Sequence, residues 1–406
     1  MTLSEHRDLR GGRPVWTGDR KDIPPSDPLP ARCDIAVIGA GIMGATIAER
    51  LSADGHQVLL VDRRPPAHGS TAASTAEVMW AMDVPLQELA RSIGEDEAIR
   101  RWRRVHRAVQ TYAERIDALG IDCGRIDRPT VYLAGKTLDA DGLREEAALH
   151  RKAQLPTDFL DAPATAERFG IAPRAALVST GGFEVDPVRL TLGLLEKARS
   201  RSAKAAFPRD VVGLSPGDEG VVLTFDDGAT VAAGKVVFAG GYERAPLLLP
   251  PQFSLLSTFL MATVPGAAPL WKEGAMIWEA SDPYLYLRAC SEGRVIAGGE
   301  DEDVIDSLSR DGMLPAKAAA VAAKSAAVLG LDAPLEEDRR WSATFGSSPD
   351  GLPAIGLAAN MDHVWLTAGF GGNGIAFAAL ASEIVSAALQ GERDPDAACF
   401  DPYRFS

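Results

Sequence analysis

Residues 34–62 read DIAVIGAGIMGATIAERLSADGHQVLLVD. The unbroken apolar run at 35–38 is the pattern of a strand buried on both faces. It meets Gly39-Ala40-Gly41-Ile42-Met43-Gly44, and a helix-period segment follows through Leu51. Gly55 ends that segment, and a second apolar run at 58–61 finishes at Asp62. In such a strand–turn–helix, Gly39 permits the tight turn and Gly41 lets backbone N–H groups approach a pyrophosphate, while Gly44 lets helix and strand pack closely. The helix start adds unpaired N–H groups and a positive dipole end. Asp62 stands where an acid accepts hydrogen bonds from a ribose. Strand, glycines, helix, second strand and acid agree on a dinucleotide site rather than a merely structural glycine turn.

The chain has 406 residues, enough for two or three folded units, and 46% apolar with 24% charged residues supplies an ordinary core. A net charge of −14 argues against a nucleic-acid partner, because phosphate backbones are bound by clustered positive charge. Cys33, Cys123, Cys290 and Cys399 are scattered without a CxxC or metal-like pair, so they read as reduced thiols of a cytoplasmic protein that holds no metal. No stretch reads as membrane-spanning: the longest apolar runs are the glycine-broken segment above and 374–389, which contains Glu383. The start, MTLSEHRDLR, lacks the apolar core of a signal peptide. Residues 1–30 are polar and rich in Pro and Gly, which predicts an extended strap docked through Trp16, or else disorder.

After Asp62 come Arg63, Arg64 and a small, hydroxyl-rich run, Gly69-Ser70-Thr71-Ala72-Ala73-Ser74-Thr75-Ala76-Glu77-Val78. Loops at the carboxyl ends of strands in an open α/β sheet line the ligand crevice, so this run reads as ligand-contacting rather than as a flexible linker. Residues 87–119 read as one helix, and its cluster Arg100, Arg101, Arg103, Arg104 and Arg107 reads as a solvated face rather than a docking site. A new unit is expected to begin near Gly181, with a helix over 188–202. Strands are expected at 211–214, 221–225, 230–231 and 235–238, with a hairpin turn at Asp226-Asp227-Gly228. Gly240 and Gly241, directly after a buried strand, suggest backbone passing close to a ligand.

Further on, Tyr284, Tyr286 and Arg288 alternate with leucines and share one strand face. They form either an aromatic pocket with an anion clamp or an ordinary solvent-facing side. Residues 300–303 read as a solvated acidic run and 315–330 as an Ala-rich helix. His363, just before a strand at 364–367, reads as structural. The chain then repeats its opening device: that strand, Ala368-Gly369-Phe370-Gly371-Gly372-Asn373-Gly374-Ile375, and a helix over 376–389. No further strand follows, so this is not a second nucleotide-fold start. A positive helix end there suits a ring that gains negative charge on reduction, as a flavin does at its N1–C2=O edge and nicotinamide does not.

Taken together, the chain resembles the FAD-dependent oxidoreductases of the D-amino-acid oxidase, glycine oxidase and sarcosine oxidase group. Four motifs carry the likeness in order from about residue 31 to 390. They are IGAGIMG with Asp62, GSTAASTAEV at 69–78, GGFEVDPVRL leading to VVFAGG at 236–241, and DGLPAIG followed by TAGFGGNGI at 350–375. The resemblance implies an α/β fold, with a Rossmann-like FAD-binding domain interwoven with an α+β substrate domain built on an antiparallel sheet. The FAD domain would comprise 31–85, 181–245 and 341–400, and the substrate domain 86–180 and 246–340. It implies that Gly39, Gly41, Ile42, Met43 and Gly44 meet the pyrophosphate, and that Asp62, with Arg63 and Arg64, meets the adenosine ribose. Ser70, Thr71, Ser74, Thr75, Glu77 and Val78 would line the phosphates and isoalloxazine, beside Gly240 and Gly241. Val211 would touch adenine through its backbone, and Gly371, Gly372, Asn373, Gly374 and Ile375 would sit at the pyrimidine edge.

The departures bear on substrate. Glycine-oxidase-like members carry a carboxylate-binding Arg a few residues before the DGxP turn, where this chain has Phe345. Sarcosine-oxidase-like members hold FAD through a Cys near the same place, here Ser342-Ala343-Thr344, so non-covalent FAD is expected. Those relatives also carry a Lys in the last glycine motif, where this chain has Ala376. Arg288, flanked by Tyr284, Tyr286 and Phe345, is the remaining carboxylate anchor, and without it the substrate is a plain amine. The implied reaction is oxidation of the C–N bond of an amino acid or amine by hydride transfer to the flavin, with imine hydrolysis and reoxidation by O₂ to hydrogen peroxide. No acid/base side chain is strictly required. The competing readings are a dehydrogenase with a quinone or carrier acceptor, a nicotinamide enzyme, and a non-catalytic flavin-binding subunit.

Overall fold

The computed structural model describes residues 2–3, 7–16 and 23–405. Parts of the strap expected over 1–30 therefore lie outside the described residues. Among those described, two sheets organise the chain, one of eight strands and one of ten. The opening run becomes the strand Arg32–Ile38 in the middle of the smaller sheet, paired in parallel with Val58–Val61 on one side and Thr230–Phe238 on the other. Val364–Ala368 continues the parallel order beyond Thr230–Phe238, and Lys204–Ala206 extends it beyond Val58–Val61. Ile35 and Val37 pack under the helices Ile42–Ala53, Pro187–Ser200 and Gly374–Leu389. Ala36 and Ile38 face the opposite core, where the hairpin Val211–Gly217 and Gly220–Phe225 folds over. Burial on both faces is why the run shows no polar alternation. The segments expected at 230–231 and 235–238 are one continuous strand.

The larger sheet runs Arg10–Gly12, Arg339–Ser347, Ser254–Ala262, Val295–Glu302, Leu285–Ala289, Met276–Glu279, Ile126–Leu133, Ala176–Glu184 and Glu77–Val78, with Thr157–Leu160 also on Ala176–Glu184. Its pairings are antiparallel except where Met276–Glu279 meets Ile126–Leu133. Two of these strands, Ala176–Glu184 and Arg339–Ser347, run across the expected limits at 180/181 and 340/341, and Glu77–Val78, from within the expected 31–85 segment, also belongs to this sheet.

Four local expectations need correction. The helix expected over 87–119 is two, Leu86–Ile93 and Glu95–Leu119, because Gly94 adopts φ 89° and ends one before Glu95, Asp96 and Glu97 start the next at its positive end. The arginine cluster on the second helix is solvated only in part: Arg103 and Arg107 are exposed, the others less so. Arg104 is buried and pairs with Glu383 at 2.7 Å and Asp394 at 2.9 Å, while Arg100 meets Asp396 at 2.6 Å and Arg101 meets Asp350 at 3.3 Å. With Trp102, Val105 and Val109 in the core shared with the helix Gly374–Leu389, this segment packs on the nucleotide side as well as on Ala176–Glu184 of the large sheet. The Ala-rich helix is Ser307–Leu329, starting well before Pro315 from an Asp306 cap that accepts from Ser309 N at 2.8 Å. By length and composition it could cross a membrane, yet it packs on the large sheet. Its Lys317 and Lys324 hold Glu300 and Lys317 also holds Glu302, so two members of the acidic run at 300–303 are ion-paired, while Asp303 is exposed as expected.

Trp16 docks the N-terminal segment by donating Nε1–H to Ser74 O at 2.7 Å. Arg10–Gly12 adds to the edge of the large sheet, and Thr2 bridges to Gly213 of the smaller one. His363 accepts from Lys235 Nζ at 2.7 Å at the far edge of the sheet, a structural contact.

Candidate active site

The two sheets enclose a cavity of about 470 Å³. At one end lies the opening motif. Gly39 adopts φ +112°, and a Cβ there would stand 2.2 Å from Ala239 O. A Cβ on Gly44 would stand 1.8 Å from Gly39 O, so helix and turn touch backbone to backbone. Gly44 itself does not line the cavity; its role is packing. Asp62 Oδ2 accepts from Ala40 N at 2.8 Å and Oδ1 accepts from Arg64 N at 2.8 Å. Burial pushes the Asp62 carboxyl up, while those two N–H bonds and Arg64 draw it back down. Arg64 and Arg63 both pair with Glu243, which follows Gly240 and Gly241. Val211 lines the same end, its carbonyl accepting from Arg244 at 2.9 Å.

The hydroxyl-rich run forms the cavity's middle. Thr71 Oγ1 accepts from Ile42 N at 3.0 Å, which joins this run to the helix start. Three side chains from distant segments hold its consecutive carbonyls. Trp341 donates to Ala73 O at 2.9 Å, Trp16 to Ser74 O, and Arg288 Nε to Thr75 O at 2.5 Å. Ser70, Thr71, Ser74, Thr75 and Glu77 reach the cavity. Val78 does not, because on its strand it points opposite to Glu77 and is buried beside Phe183.

The second glycine junction closes the far side. Gly371 adopts φ +98°, and Asn373 donates Nδ2–H to Ala81 O at 2.6 Å at the start of the helix Gly374–Leu389. Gly372 N donates to Asp83. Gly371, Gly372, Asn373, Gly374, Ile375, Ile42 and Met43 all line the cavity. The strand lattice therefore brings both glycine junctions, more than 320 positions apart in sequence, to one space. The remaining wall is aromatic: Trp278, Tyr284, Tyr286 and Phe345, with Tyr286 OH 3.2 Å from Thr258 Oγ1.

Arg288 is a correction. It shares a strand face with Tyr286, but its guanidinium does not line the cavity. It is 1% exposed and spends its N–H groups on Thr75 O, on Val185 O at 2.9 Å, on Ala289 O at 3.2 Å and on Glu184 at 3.4 Å. Three of its five N–H donors go to backbone carbonyls, and a guanidinium buried off the cavity is not placed to meet a substrate carboxylate.

Two carboxyls that the sequence reading did not place at the substrate end stand there instead: Asp83, and Glu77, which had been assigned to the cofactor. Burial pushes Glu77 up to about 8, against the pull of Arg288 and with a push from Glu184; burial also raises Asp83, against the Gly372 N–H bond. Behind the tyrosines, burial raises Asp301 to about 7 against a Thr258 hydrogen bond. Both tyrosine hydroxyls are held neutral, chiefly by burial and further by these carboxyls.

The residues present fit FAD. Two helix starts offer N–H groups, the glycines leave room where a Cβ would intrude, and a half-buried acid stands at the ribose position. Asp62→Ala is expected to weaken FAD by about tenfold, through loss of a ribose acceptor and disorder of the Ala40 and Arg64 N–H groups. Flavin absorbance titration of the apoprotein measures it.

Comparison with known proteins adds the following. The family model described as FAD dependent oxidoreductase matches residues 34–388. The bifunctional protein MnmC of tRNA 5-methylaminomethyl-2-thiouridine biosynthesis from Cupriavidus necator is 27% identical over 94% of this chain. The chain spans 61% of that relative's length. Among solved structures, glycine oxidase from Geobacillus kaustophilus superposes with a TM-score of 0.73 at 21% identity, covering 93% of this chain and 98% of that one. L-proline dehydrogenase from P. horikoshii gives 0.73 at 20% identity with the same coverage.

Proposed function

Because the chain belongs to the FAD dependent oxidoreductase family, we propose that it oxidises the C–N bond of an amine or amino acid. The observation that carries this reading is the single cavity that joins both glycine junctions to an aromatic chamber. FAD, when bound, supplies the two-electron acceptor. The Gly39–Gly44 turn, Asp62, Thr71 and the start of the helix Gly374–Leu389 would hold it. None of the four cysteines is among the lining residues, which supports non-covalent attachment. Trp278, Tyr284, Tyr286 and Phe345 exclude water and orient the carbon that loses hydrogen. Asp83 holds the Gly372 N–H in place at the flavin's expected edge. The imine formed is then hydrolysed in water, and O₂ is the proposed acceptor. A tRNA-borne amine, which the MnmC relative brings into view, fits poorly with a net charge of −14. The four buried, unpaired thiols support a reducing, cytoplasmic setting.

The purified protein is expected to show the flavin band near about 450 nm. That band is expected to bleach anaerobically with a member of a panel of amines, N-methyl amino acids and D-amino acids, and to return with peroxide formation on admission of air. A colourless protein, or a band that no panel member bleaches, would overturn the reading. Bleaching without peroxide on reoxidation assigns the acceptor to a quinone or carrier.

A further inference from the structure

We propose that Glu77, supported by Asp83 and the aromatic wall, is the anchor for a substrate ammonium group, so that the site selects cationic amines lacking a carboxylate beside the nitrogen. This rests on the amine-oxidising reading above and names its substrate class.

The argument starts from an arrangement that costs the fold energy. Glu77 stands directly across the strand pair from Glu184, and like charges opposite each other in a sheet repel. Arg288 acts on both but pairs directly with one: it meets Glu184 at 3.4 Å and donates its hydrogen bonds to carbonyls. Glu77 is 9% exposed, and both its carboxylate oxygens lack a hydrogen-bond partner among the described residues. A buried acceptor without a donor is expensive, and it is kept where a ligand supplies the donor. The cavity is the nearest source of that donor, because Glu77 borders it together with Asp83, Trp278, Tyr284 and Tyr286, its carboxylate oxygens lying beneath the cavity surface. Aromatic faces and carboxylates together are the surroundings that stabilise an ammonium. The cation that acts on Glu77 is Arg288, which is turned away from the cavity and held by three backbone carbonyls. Among the arginines that line the cavity, Arg63 and Arg64 meet Glu243 and Arg244 meets Asp210 at the nucleotide end, where Arg209 N donates to Asp62 O, while Arg10 lies 3.4 Å from His68 Nε2. A substrate carboxylate would face Glu77 and Asp83 with no partner; an ammonium would face two.

The charge state follows from the neighbours. Arg288 favours the ionised form of Glu77, burial and Glu184 oppose it more strongly, and the hydroxyls of Tyr284 and Tyr286 stay neutral. Glu77 therefore carries a proton at neutral pH until a cation enters, and entry of the cation releases that proton. Affinity for a permanently charged probe rises about tenfold per pH unit until pH reaches about 8, and is flat above.

The test uses the FAD-loaded protein and two measurements. The first is calorimetric binding of tetramethylammonium, which cannot be deprotonated, across pH for the wild type, Glu77→Gln and Asp83→Asn. The wild type is expected to bind with the rise ending near about 8. Glu77→Gln is expected to lose about 30-fold or more in affinity, the effect of removing one partner of a buried charge pair, and to lose the pH dependence. Its melting temperature is expected to hold or rise, since an unpaired buried acid is removed; a merely structural Glu77 would lower it. The second is the rate of anaerobic bleaching by the matched pair 1,5-diaminopentane and lysine, in which one nitrogen can be held as ammonium while the other, neutral, is oxidised; the diamine is expected to be faster. Absence of saturable tetramethylammonium binding, unchanged affinity in Glu77→Gln, or faster bleaching by the amino acid would overturn the anchor while leaving amine oxidation standing. Cation binding without bleaching by any compound would instead overturn the enzyme reading.

Discussion

Arg288→Ala is expected to lower the unfolding free energy by about 3–5 kcal/mol, the range for breaking a buried ion pair from one side. The reason lies in what the guanidinium holds. Its loss leaves Glu184 with only the partly exposed Arg128, at 3.3 Å, and strands the carbonyls of Thr75 and Val185. Thr75 belongs to the run that lines the cavity, so cofactor affinity is expected to fall with stability. Arg288→Lys is expected to recover little, because an ammonium cannot reproduce a planar fork aimed at three carbonyls and a carboxylate. Denaturant unfolding of both variants measures this. Normal stability in Arg288→Ala with a selective loss of carboxylate-bearing substrates would restore the clamp that the structure argues against.

Gly44→Val is expected to yield protein without a flavin band and with stability reduced by about 3 kcal/mol or more, the upper range for overpacking. The new Cβ would lie 1.8 Å from Gly39 O and 3.4 Å from Leu60, and the first of these is backbone that cannot rotate away. The helix must then lift from the strand, and the N–H groups at its start leave the pyrophosphate position. Gly312→Ala is the control: it lies in the helix Ser307–Leu329 away from the cavity, and its Cβ meets nothing within 4 Å. That variant is expected to keep its flavin. Absorbance of the purified proteins and their thermal melts decide the comparison.

These two positions also show what the sequence could and could not disclose. Gly44 was legible because its constraint is local: strand, turn and helix are contiguous, and the glycine spacing states the geometry directly. The C-terminal junction was legible for the same reason. Arg288 was not, because alternation on a strand assigns a face but not the depth at which a long side chain ends. The strand pairings carry its head beneath Thr75 and Val185, both more than 100 positions away. Arg104 misled in the same way, since a helix face rich in arginine looks solvated until Glu383 and Asp394 arrive to cover it. Glu77 sat in a run that was read for its small and hydroxyl residues. Its isolation depends on Glu184 claiming the shared arginine, a fact of pairing register alone.

The strand order carries a consequence for how the chain is made. Arg32–Ile38 is made some two hundred residues before its neighbour Thr230–Phe238 and more than three hundred before Val364–Ala368. The larger sheet is likewise incomplete until Arg339–Ser347 joins Ser254–Ala262 and receives Arg10–Gly12. Neither sheet can close until these late strands are made, so the nascent chain carries unpaired strand edges over that interval. Pairings this distant in sequence are slow to form and leave such edges open to other chains. Yield in the cell is thus set by what protects the half-made chain as much as by the stability of the finished one.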